Sequence, residues 1–382
     1  MSKRESGFSL IELLVVMGVM GFVLAAGSDM FVTMLRGYKQ QGTIAETNIE
    51  GVIGLEMLRR DIESAGYGLP WQISTTPPIQ YNEAADTTAA HYNDSPTNPP
   101  RGLLCGDNIT SDANLVNGAD YLVIKALNLS KDDAGTKWAY LLNSGATTSE
   151  GAPNVDLAAD DRIIVMSPGA KDETKRRVLR GPVGTGALTL LRLDGASAFS
   201  DADETRIVYG VAHAASGEPL RMPFNRADYR VSKSDGTPGR CALGTGVLVK
   251  SIINQSDGMF NSLPLLDCVA DMQVITSLDI LPSDGQPESV SNGFTASTAA
   301  EVRKELYEVH VYILAQEGQR DVSYDCSSMY PSGTILVGES SLLGRYFDLS
   351  TITNWQNYRW RVYTLIVKPL NLREVSYVRS EE

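Results

Sequence analysis

The stretch Gly7-Phe8-Ser9-Leu10-Ile11-Glu12 opens an apolar run in which Glu12 is the sole charged residue as far as Ser28. As a helix, this run would be about 32 Å long, which matches the ~30 Å hydrocarbon core of a bilayer. A carboxylate inside such a segment costs about 2–4 kcal/mol unless a cation pairs with it. Glu12 therefore indicates a segment that meets a cationic partner, because in a simple membrane anchor nothing would offset the cost of burying the charge.

Residues 1–7, with the sequence MSKRESG, form a short basic leader that ends in glycine. A secretory signal peptide would have an unbroken apolar region followed by a cleavage site between small residues. Leu24-Ala25-Ala26 imitates such a site, but Glu12 interrupts the apolar region, so ordinary signal-peptide cleavage is not expected. Because Lys3 and Arg4 precede the apolar run, we expect the leader to stay cytoplasmic and the remainder to be exported.

This N-terminus resembles the class III leader of type IV pilins and type II secretion pseudopilins. In those proteins a prepilin peptidase cuts after the glycine and methylates the new N-terminus. The resemblance implies cleavage between Gly7 and Phe8, N-methylation of Phe8, and a match of Glu12 to the family's glutamate at the fifth mature residue. The resemblance also implies a cationic partner for Glu12, which is the free amine at Phe8 of a neighbouring subunit. Pairing of the two groups would set the register of assembly, since a misaligned subunit leaves both charges unpaired.

Beyond the apolar run, hydrophobic residues from Ile44 to Ile62 recur mostly at three- and four-residue steps, which predicts one helix over residues 9–65. Three helix breakers follow, Gly66, Gly68 and Pro70. Many pilins have a proline at the twenty-second mature residue. This chain has Asp29 there, so the resemblance does not imply the family's usual kink.

Residues 67–118 are rich in Pro, Thr, Asn and Asp and predict a long surface loop with short ordered pieces. From residue 119 onward, short apolar runs alternate with turn residues, which predicts a β-rich head. The predicted strands are 121–127, 162–166, 188–193, 206–211, 246–253, 270–277, 307–315 and 359–367. A short helix is predicted at 298–306.

The predicted fold class is therefore α+β and type IV pilin-like, with a long N-terminal helix packed on a mainly antiparallel β-sheet head. The first half of the helix, residues 8–30, is expected to span the membrane. The predicted divisions of the chain are the leader 1–7, the helix 8–66, the loop region 67–118 and the globular head 119–382.

Two stretches of the head resemble PilW-type minor pilins, which are similar to the J-type pseudopilins of type II secretion. Residues 266–274 look like the V-x-D-x-Q-V strand of those proteins, and an Asp-rich loop follows in both. Residues 358–363, followed by Asn371-Leu372-Arg373, resemble their closing strand. Residues 67–260 match no motif, so any ligand of this region stays open.

The formal net charge of −13 does not favour a nucleic-acid-binding protein, which would normally present a basic face. Residues 181–186 imitate the start of a phosphate loop, but Ala187 stands where lysine is required. The sequence has no G-x-S-x-G elbow. The three histidines lie far apart without a metal-binding motif and are interpreted as surface or packed residues: His91, His213 and His310. An enzyme is therefore not predicted, although a membrane-anchored periplasmic enzyme built from distant acids stays an alternative.

All four cysteines lie in the part expected to be exported, where disulfides persist, so two disulfides are favoured over free thiols. If strands 270–277 and 307–315 pair antiparallel, the start of the first lies near the end of the second. The predicted bridges are then Cys268–Cys326 and Cys105–Cys241.

Two acidic loops offer oxygen ligands that calcium would accept. One contains Asp201, Asp203 and Glu204, and the other is residues 279–288. Solvated loop charge is the favoured interpretation of both, so no cofactor is predicted.

Together these patterns predict a minor pilin that primes type IV pilus assembly at or near the filament tip and acts by self-association. Its expected partners are other minor pilins, the major pilin, the prepilin peptidase and the inner membrane. It would be an inner-membrane prepilin with a periplasmic head and then part of the extracellular pilus. Two further alternatives are a pseudopilin of a type II secretion system and a tip adhesin whose residues 67–260 recognise a surface or a sugar.

Overall fold

The computed structural model describes residues 9–130, 132–148, 156–169, 175–213, 218–234, 236–280, 286–296 and 298–372. Gly7 and Phe8, which form the predicted cleavage site, lie outside these ranges together with the rest of the leader. Residues 281–285 of the second acidic loop also lie outside them.

The first described element is one long helix, α1, at Leu10–Ser64, as the hydrophobic periodicity predicts. Apolar side chains are exposed from Leu10 to Leu35, whereas Leu58 and Ile62 near its C-terminal end are completely buried. The helix ends before Gly66, whose φ of 85° lies in the left-handed region that glycine adopts without the steric cost of a Cβ.

Sixteen strands and two short helices follow in the described residues. They are β1 (Gln72–Ile73), α2 (Thr87–Ala90), β2 (Leu103–Ile109), β3 (Ala119–Ala126), β4 (Trp138–Leu141), β5 (Thr147–Thr148), β6 (Arg162–Ser167), β7 (Val178–Gly181), β8 (Arg206–Ala212), β9 (Asn225–Ser232), β10 (Gly246–Ile253), β11 (Phe260–Leu278), β12 (Ser289–Asn292), α3 (Ala299–Glu305), β13 (Leu306–Glu317), β14 (Thr334–Gly338), β15 (Gly344–Asp348) and β16 (Arg359–Val367).

The main sheet has eight strands in the order β16-β13-β11-β10-β9-β3-β2, and β12 pairs with β11 beside this path. All of its pairs are antiparallel. The C-terminal part of α1 packs on one face, where Leu58 and Ile62 join the sheet residues Leu122, Ile124 and Tyr229 in one core. An apolar helix followed by a mostly antiparallel sheet is the architecture that the sequence predicts.

A second sheet has six strands in the order β1-β7-β6-β8-β4-β5. Five of these strands lie in the chain between β3 and β9, which are themselves neighbours in the main sheet. Apart from β1, which precedes β2 in the chain, the second sheet is therefore an insertion into the helix-and-sheet unit. Its two faces bury separate cores, one around Tyr81 and Phe224 and one around Ile163 and Val208.

A hairpin of β14 and β15 covers the face of the main sheet that lies opposite α1. Side chains of the hairpin and its flanking turns, such as Val337 and Leu349, pack there against Leu314 and Trp360 of β13 and β16. The head is therefore a main sheet with the helix on one face and the hairpin on the other.

Seven of the eight predicted strands are confirmed, and the predicted helix at 298–306 is α3. The strand predicted at 188–193 is wrong. Leu188 and Arg192 form isolated bridges with Leu220 and Arg162, and a short 3-10 helix starts at Leu193. Leu188 and Leu191 are buried in the two cores of the insertion without joining a ladder.

Part of the predicted surface loop belongs to the sheet. Within residues 67–118 the chain forms β1, α2 and β2, and β2 is an edge strand of the main sheet. Ile79 and Tyr81 in this segment are buried. The density of Pro, Asn and Asp reflects turns that connect these pieces over the sheet.

The disulfide differs from the predicted pairing. Cys241 and Cys268 form the bond, with 4.9 Å between their Cα atoms. Cys105 and Cys326 are buried free thiols. The predicted bridges Cys268–Cys326 and Cys105–Cys241 are therefore wrong.

The error arises from the bounds of β11. The predicted strand starts at residue 270 and is expected to pair with 307–315 alone, whereas β11 starts at Phe260 and also pairs with β10. Gly246 at the start of β10 lies opposite Val269. Cys241, just before β10, is thereby brought to Cys268.

Candidate assembly interface

A reciprocal pair of hydrogen bonds starts α1. The Glu12 backbone N–H donates to Ser9 Oγ at 3.3 Å, and the Ser9 backbone N–H donates to Glu12 Oε2 at 3.2 Å. This capping box satisfies two N–H groups that have no intrahelical partner at a helix start. Glu12 therefore stabilises its own helix besides carrying a charge. The pilin resemblance does not include this role, although the Ser-x-x-Glu spacing signals it.

A continuous apolar surface covers the first half of α1. The segment Leu10–Lys39, which overlaps the predicted membrane segment, has 30 residues and is long and apolar enough to cross a membrane. The hydroxyl of Ser28 donates to the Leu24 carbonyl at 2.8 Å, so it needs no water. An exposed apolar surface of this length requires contact with lipid or with other protein chains.

Where α1 meets the head, a glycine allows a close approach to β11. A Cβ on Gly54 would lie 2.4 Å from the carbonyl oxygen of Leu265. Gly51 is packed less tightly, because the nearest atom to a Cβ there would be Leu266 Cδ1 at 3.4 Å. Three aliphatic side chains of the same helical turns are 62–65 % exposed, Ile49, Val52 and Ile53. The apolar surface therefore continues along α1 beyond the candidate membrane segment.

A buried polar contact fixes α1 on the sheet. Lys250 Nζ lies 2.5 Å from Asp61 Oδ2, and the Tyr229 hydroxyl donates to the same oxygen at 2.6 Å. Burial raises the pKa of Asp61, and Lys250 acts in the opposite direction. Because a single carboxylate meets groups from two strands, α1 has a defined rotation and axial position on the head.

A second set of buried charges holds the segment around residues 83–101 on the opposite face of the sheet. Lys125 Nζ lies 2.7 Å from Glu83 Oε2 and 2.6 Å from Asp94 Oδ2. Arg226 lies 3.1 Å from Glu83 and donates two hydrogen bonds of 2.7 and 2.8 Å to Asp228. Burial lowers the pKa of Arg226, but Asp228 and Glu83 raise it by more.

Arg101 and Tyr121 complete this charge cluster. Arg101 Nε lies 2.5 Å from Asp94 Oδ1, and the Tyr121 hydroxyl donates to Asp228 Oδ2 at 2.7 Å. The cluster then contains equal numbers of basic and acidic side chains, so its buried charges are balanced. Breaking one pair of this kind typically costs about 3–5 kcal/mol, because an uncompensated charge stays buried.

The hairpin is joined to the main sheet through Asp271. Arg345 Nε lies 2.7 Å from Asp271 Oδ2, and Arg345 Nη2 lies 2.8 Å from Oδ1, a bidentate pair. Gln273 Nε2 donates to Asp271 Oδ1 and to the Gly118 carbonyl, each at 3.1 Å. Burial raises the pKa of Asp271, and Arg345 opposes the shift. The acid and the amide of the V-x-D-x-Q-V stretch therefore have structural roles in this chain.

Asp120, on β3, lies beside this contact. It accepts hydrogen bonds from the backbone N–H groups of Asn108 at 2.8 Å and Val274 at 2.6 Å. Burial raises its pKa to about 8 against the effect of these two bonds. The neighbouring charge of Asp271 also raises it. Burial therefore favours the protonated form of Asp120 in the folded head.

The acidic loop at 201–204 is engaged by an arginine. Arg206 Nη2 lies 2.6 Å from Asp201 Oδ2, and Arg206 Nε lies 3.2 Å from Glu204 Oε1. Arginine therefore balances part of the charge of this loop. Solvated loop charge stays the prediction for residues 279–288.

One acid–histidine group comes together only in the folded chain. His213 Nδ1 lies 3.0 Å from Asp161 Oδ1, and His213 Nε2 lies 3.7 Å from Asp160 Oδ2. The hydrogen bond with Asp161 and the charge of Asp160 raise the pKa of His213. The half-exposed ring agrees with the interpretation of His213 as a surface residue, and its contacts are those of an ion pair.

Comparison with known proteins gives one match. Residues 2–28 match the prokaryotic N-terminal methylation motif. This motif indicates a type IV pilin or pseudopilin. No curated protein and no solved structure matches the chain.

The motif implies a structural protein whose partners include the prepilin peptidase and other pilins. It also points to membrane anchoring and incorporation into a filament, for which the exposed apolar half of α1 provides the surface. Cleavage after Gly7, methylation of Phe8 and pairing of Glu12 between subunits stay predictions.

Proposed function

We propose that this chain is a minor pilin that primes type IV pilus assembly and occupies a position at or near the filament tip. The main support is the exposed apolar half of α1 with Glu12 in its first turn. Packing of this surface against the helices of other pilins supplies affinity. Glu12 sets the axial register by pairing with the free amine at Phe8 of a neighbouring subunit, because misalignment leaves both charges unpaired in a low-dielectric environment.

The size of the head supports a position at the tip. The inserted second sheet and the β14–β15 hairpin add bulk to the unit of one helix and one sheet. A repeating filament body must accommodate such bulk at every subunit, whereas a tip position accommodates it once. A subunit that starts assembly is also needed in few copies.

Deletion of the gene tests the proposal. We expect few surface pili, with the major pilin still present in the inner membrane, and partial recovery of pili when retraction is blocked. Pilus number and composition are counted by electron microscopy and quantitative mass spectrometry of sheared filaments. Wild-type pilus numbers, or this chain at major-pilin stoichiometry along the shaft, would exclude the priming role. Intact pili with loss of protein secretion would instead identify a type II secretion pseudopilin.

The role of the Glu12 charge is tested by two variants. Glu12→Gln removes the charge but keeps an oxygen that can accept the Ser9 N–H, whereas Glu12→Ala removes the capping contact as well. We expect both variants to insert in the membrane and both to be depleted from filaments. Normal incorporation of Glu12→Gln together with depletion of Glu12→Ala would show that capping, and not charge, is the role of Glu12.

A tip adhesin is a second candidate that one observation favours. A cavity of about 420 Å³ opens between the hairpin and residues 116–117, and its walls include Lys233, Tyr346 and Phe347. Aromatic and basic side chains around an open cavity suit a polar ligand. Binding of the purified protein to a glycan array, with loss in Tyr346→Ala, would support the adhesin. If no glycan binds, the adhesin is rejected and the priming role remains as the proposed function.

A further inference from the structure

Asp29 is a second acidic residue within the exposed apolar surface of α1. Apolar side chains lie on both sides of it along the helix and are 51–63 % exposed: Val23, Leu24, Met30, Phe31, Met34 and Leu35. The Asp29 carbonyl accepts the Thr33 hydroxyl at 2.9 Å. In the described part of the chain, no hydrogen bond or ion pair involves the Asp29 carboxylate. Asp29 is thus an exposed charge in the middle of an apolar surface.

Asp29 cannot use the partner proposed for Glu12. It lies 17 residues further along the helix, which corresponds to about 25 Å along the axis and a rotation of about 100°. An amine at the level of Glu12 is therefore too far away and faces another side of the helix.

The environment of Asp29 changes on assembly. In the single chain it lies about 29 Å beyond Leu10 along the helix, at the far edge of the hydrocarbon core, where water can solvate it. When α1 packs beside other helices, the apolar side chains around Asp29 are buried and the carboxylate is buried with them. Burial of an unpaired carboxylate is strongly unfavourable, so the assembled state favours a cation at this level.

We propose that Asp29 is a second charge-recognition site of α1, which takes a lysine or arginine side chain from the N-terminal helix of a neighbouring pilin. The inference rests on the proposed assembly function. This chain's own sequence has basic residues at positions 36 and 39, about 10 and 15 Å further along the helix. A neighbour with a similar helix, shifted along the axis by such a distance, would place a basic residue opposite Asp29. The pairing of Glu12 with Phe8 corresponds to a shift of about 6 Å, so the Asp29 contact is made with a different neighbour. The pair would select partners that carry a cation at this position.

The test uses full-length variants expressed in place of the wild-type chain. Asp29→Asn keeps the shape and removes the charge, Asp29→Lys reverses it, and Asp29→Glu is the charge-conserving control. Two quantities are measured: the amount of the chain in sheared filaments, and the amount of other pilins that copurify with it from detergent-solubilised membranes. We expect at least about a tenfold loss of both for Asp29→Asn, a larger loss for Asp29→Lys and little change for Asp29→Glu. Equal membrane levels of all variants control for insertion.

Retention of Asp29→Asn and Asp29→Lys at wild-type levels in both measurements would overturn the role of Asp29 while leaving the proposed function intact. If the wild-type chain copurifies with pilins but is missing from filaments, the tip position fails, and the copurification still measures the Asp29 contact. If the wild-type chain does neither, both proposals fail. If an acidic substitution in the partner helix restores the incorporation and copurification of Asp29→Lys, the substituted position is the residue that pairs with position 29.

Discussion

The contact between Gly54 and the backbone of β11 leads to a prediction with a matched control on the same helix. In Gly54→Ala, the new Cβ would lie 2.4 Å from Leu265 O and 2.9 Å from Leu265 C. These are backbone atoms, so no side-chain rotation relieves the clash. A normal C···O contact is about 3.3 Å, and α1 would therefore have to move away from the sheet by about 0.9 Å.

The magnitude follows from two opposing effects. Overpacking of a well-packed contact costs about 1–3 kcal/mol, and a clash with fixed backbone belongs at the upper end of this range. Replacing glycine with alanine inside a helix gives back about 1 kcal/mol. We therefore expect Gly54→Ala to lose about 2 kcal/mol of unfolding free energy. In Gly51→Ala the nearest atoms lie at 3.4 and 3.6 Å, an ordinary packing distance, so the helix gain of about 1 kcal/mol should remain.

The assay is urea unfolding of the purified full-length protein in detergent, followed by near-ultraviolet circular dichroism. The two variants change the same residue type on the same helix. Their unfolding free energies should differ by about 3 kcal/mol, with Gly54→Ala less stable and Gly51→Ala more stable than the wild type. Limited proteolysis should also release α1 from the head faster in Gly54→Ala. Equal stability of Gly54→Ala and Gly51→Ala would refute the close helix–sheet contact.

The mature protein should begin at a mono-methylated Phe8, which mass spectrometry of the N-terminal peptide measures; an uncleaved leader would contradict the pilin assignment. Non-reducing peptide mapping should find Cys241 joined to Cys268, and any other pairing would contradict the fold around β10 and β11. The unfolding free energy should fall as pH rises from 5 to 8. The Asp120 carboxyl has its ordinary pKa of 3.8 in the unfolded chain, whereas burial in the head raises its pKa to about 8. Between these values the folded head binds more protons than the unfolded chain, so raising the pH favours unfolding. Asp120→Asn should reduce this slope by up to about 1.4 kcal/mol per pH unit, and an unchanged slope would show that another group titrates.

Elements with a clear local pattern could be predicted from the sequence. The apolar run, the three- and four-residue spacing beyond it and the helix breakers that follow predict α1 to within one residue at each end, and β16 has the predicted bounds. The exposed apolar surface with Glu12 was also predictable, because length and polarity alone determine it. These features depend on neighbours in the sequence, which the pattern contains.

The polar interior was not predictable in this way. All residues of β9 are buried, yet the strand contains Arg226, Asp228 and Arg230, and such charges indicate a surface when read locally. Arg226 is buried because Glu83, 143 residues away, comes to lie beside it. A pairing over this distance leaves no periodicity in the sequence. The start of β11 was missed for a similar reason, since Pro264 and Asp267 interrupt the apolar pattern of the strand.

The contacts that fix α1 on the head have a consequence for assembly. The Gly54 contact and the Asp61 contact with Lys250 and Tyr229 set the distance, rotation and axial position of the helix. A shift of α1 along its axis by one residue is about 1.5 Å, which would break the 2.5 Å ion pair of Asp61. The head therefore cannot slide on the helix to correct a misplaced subunit. In the proposed assembly, the head therefore moves with the end of α1 that it holds, so a register chosen by charges in the membrane half affects which surfaces of neighbouring heads meet.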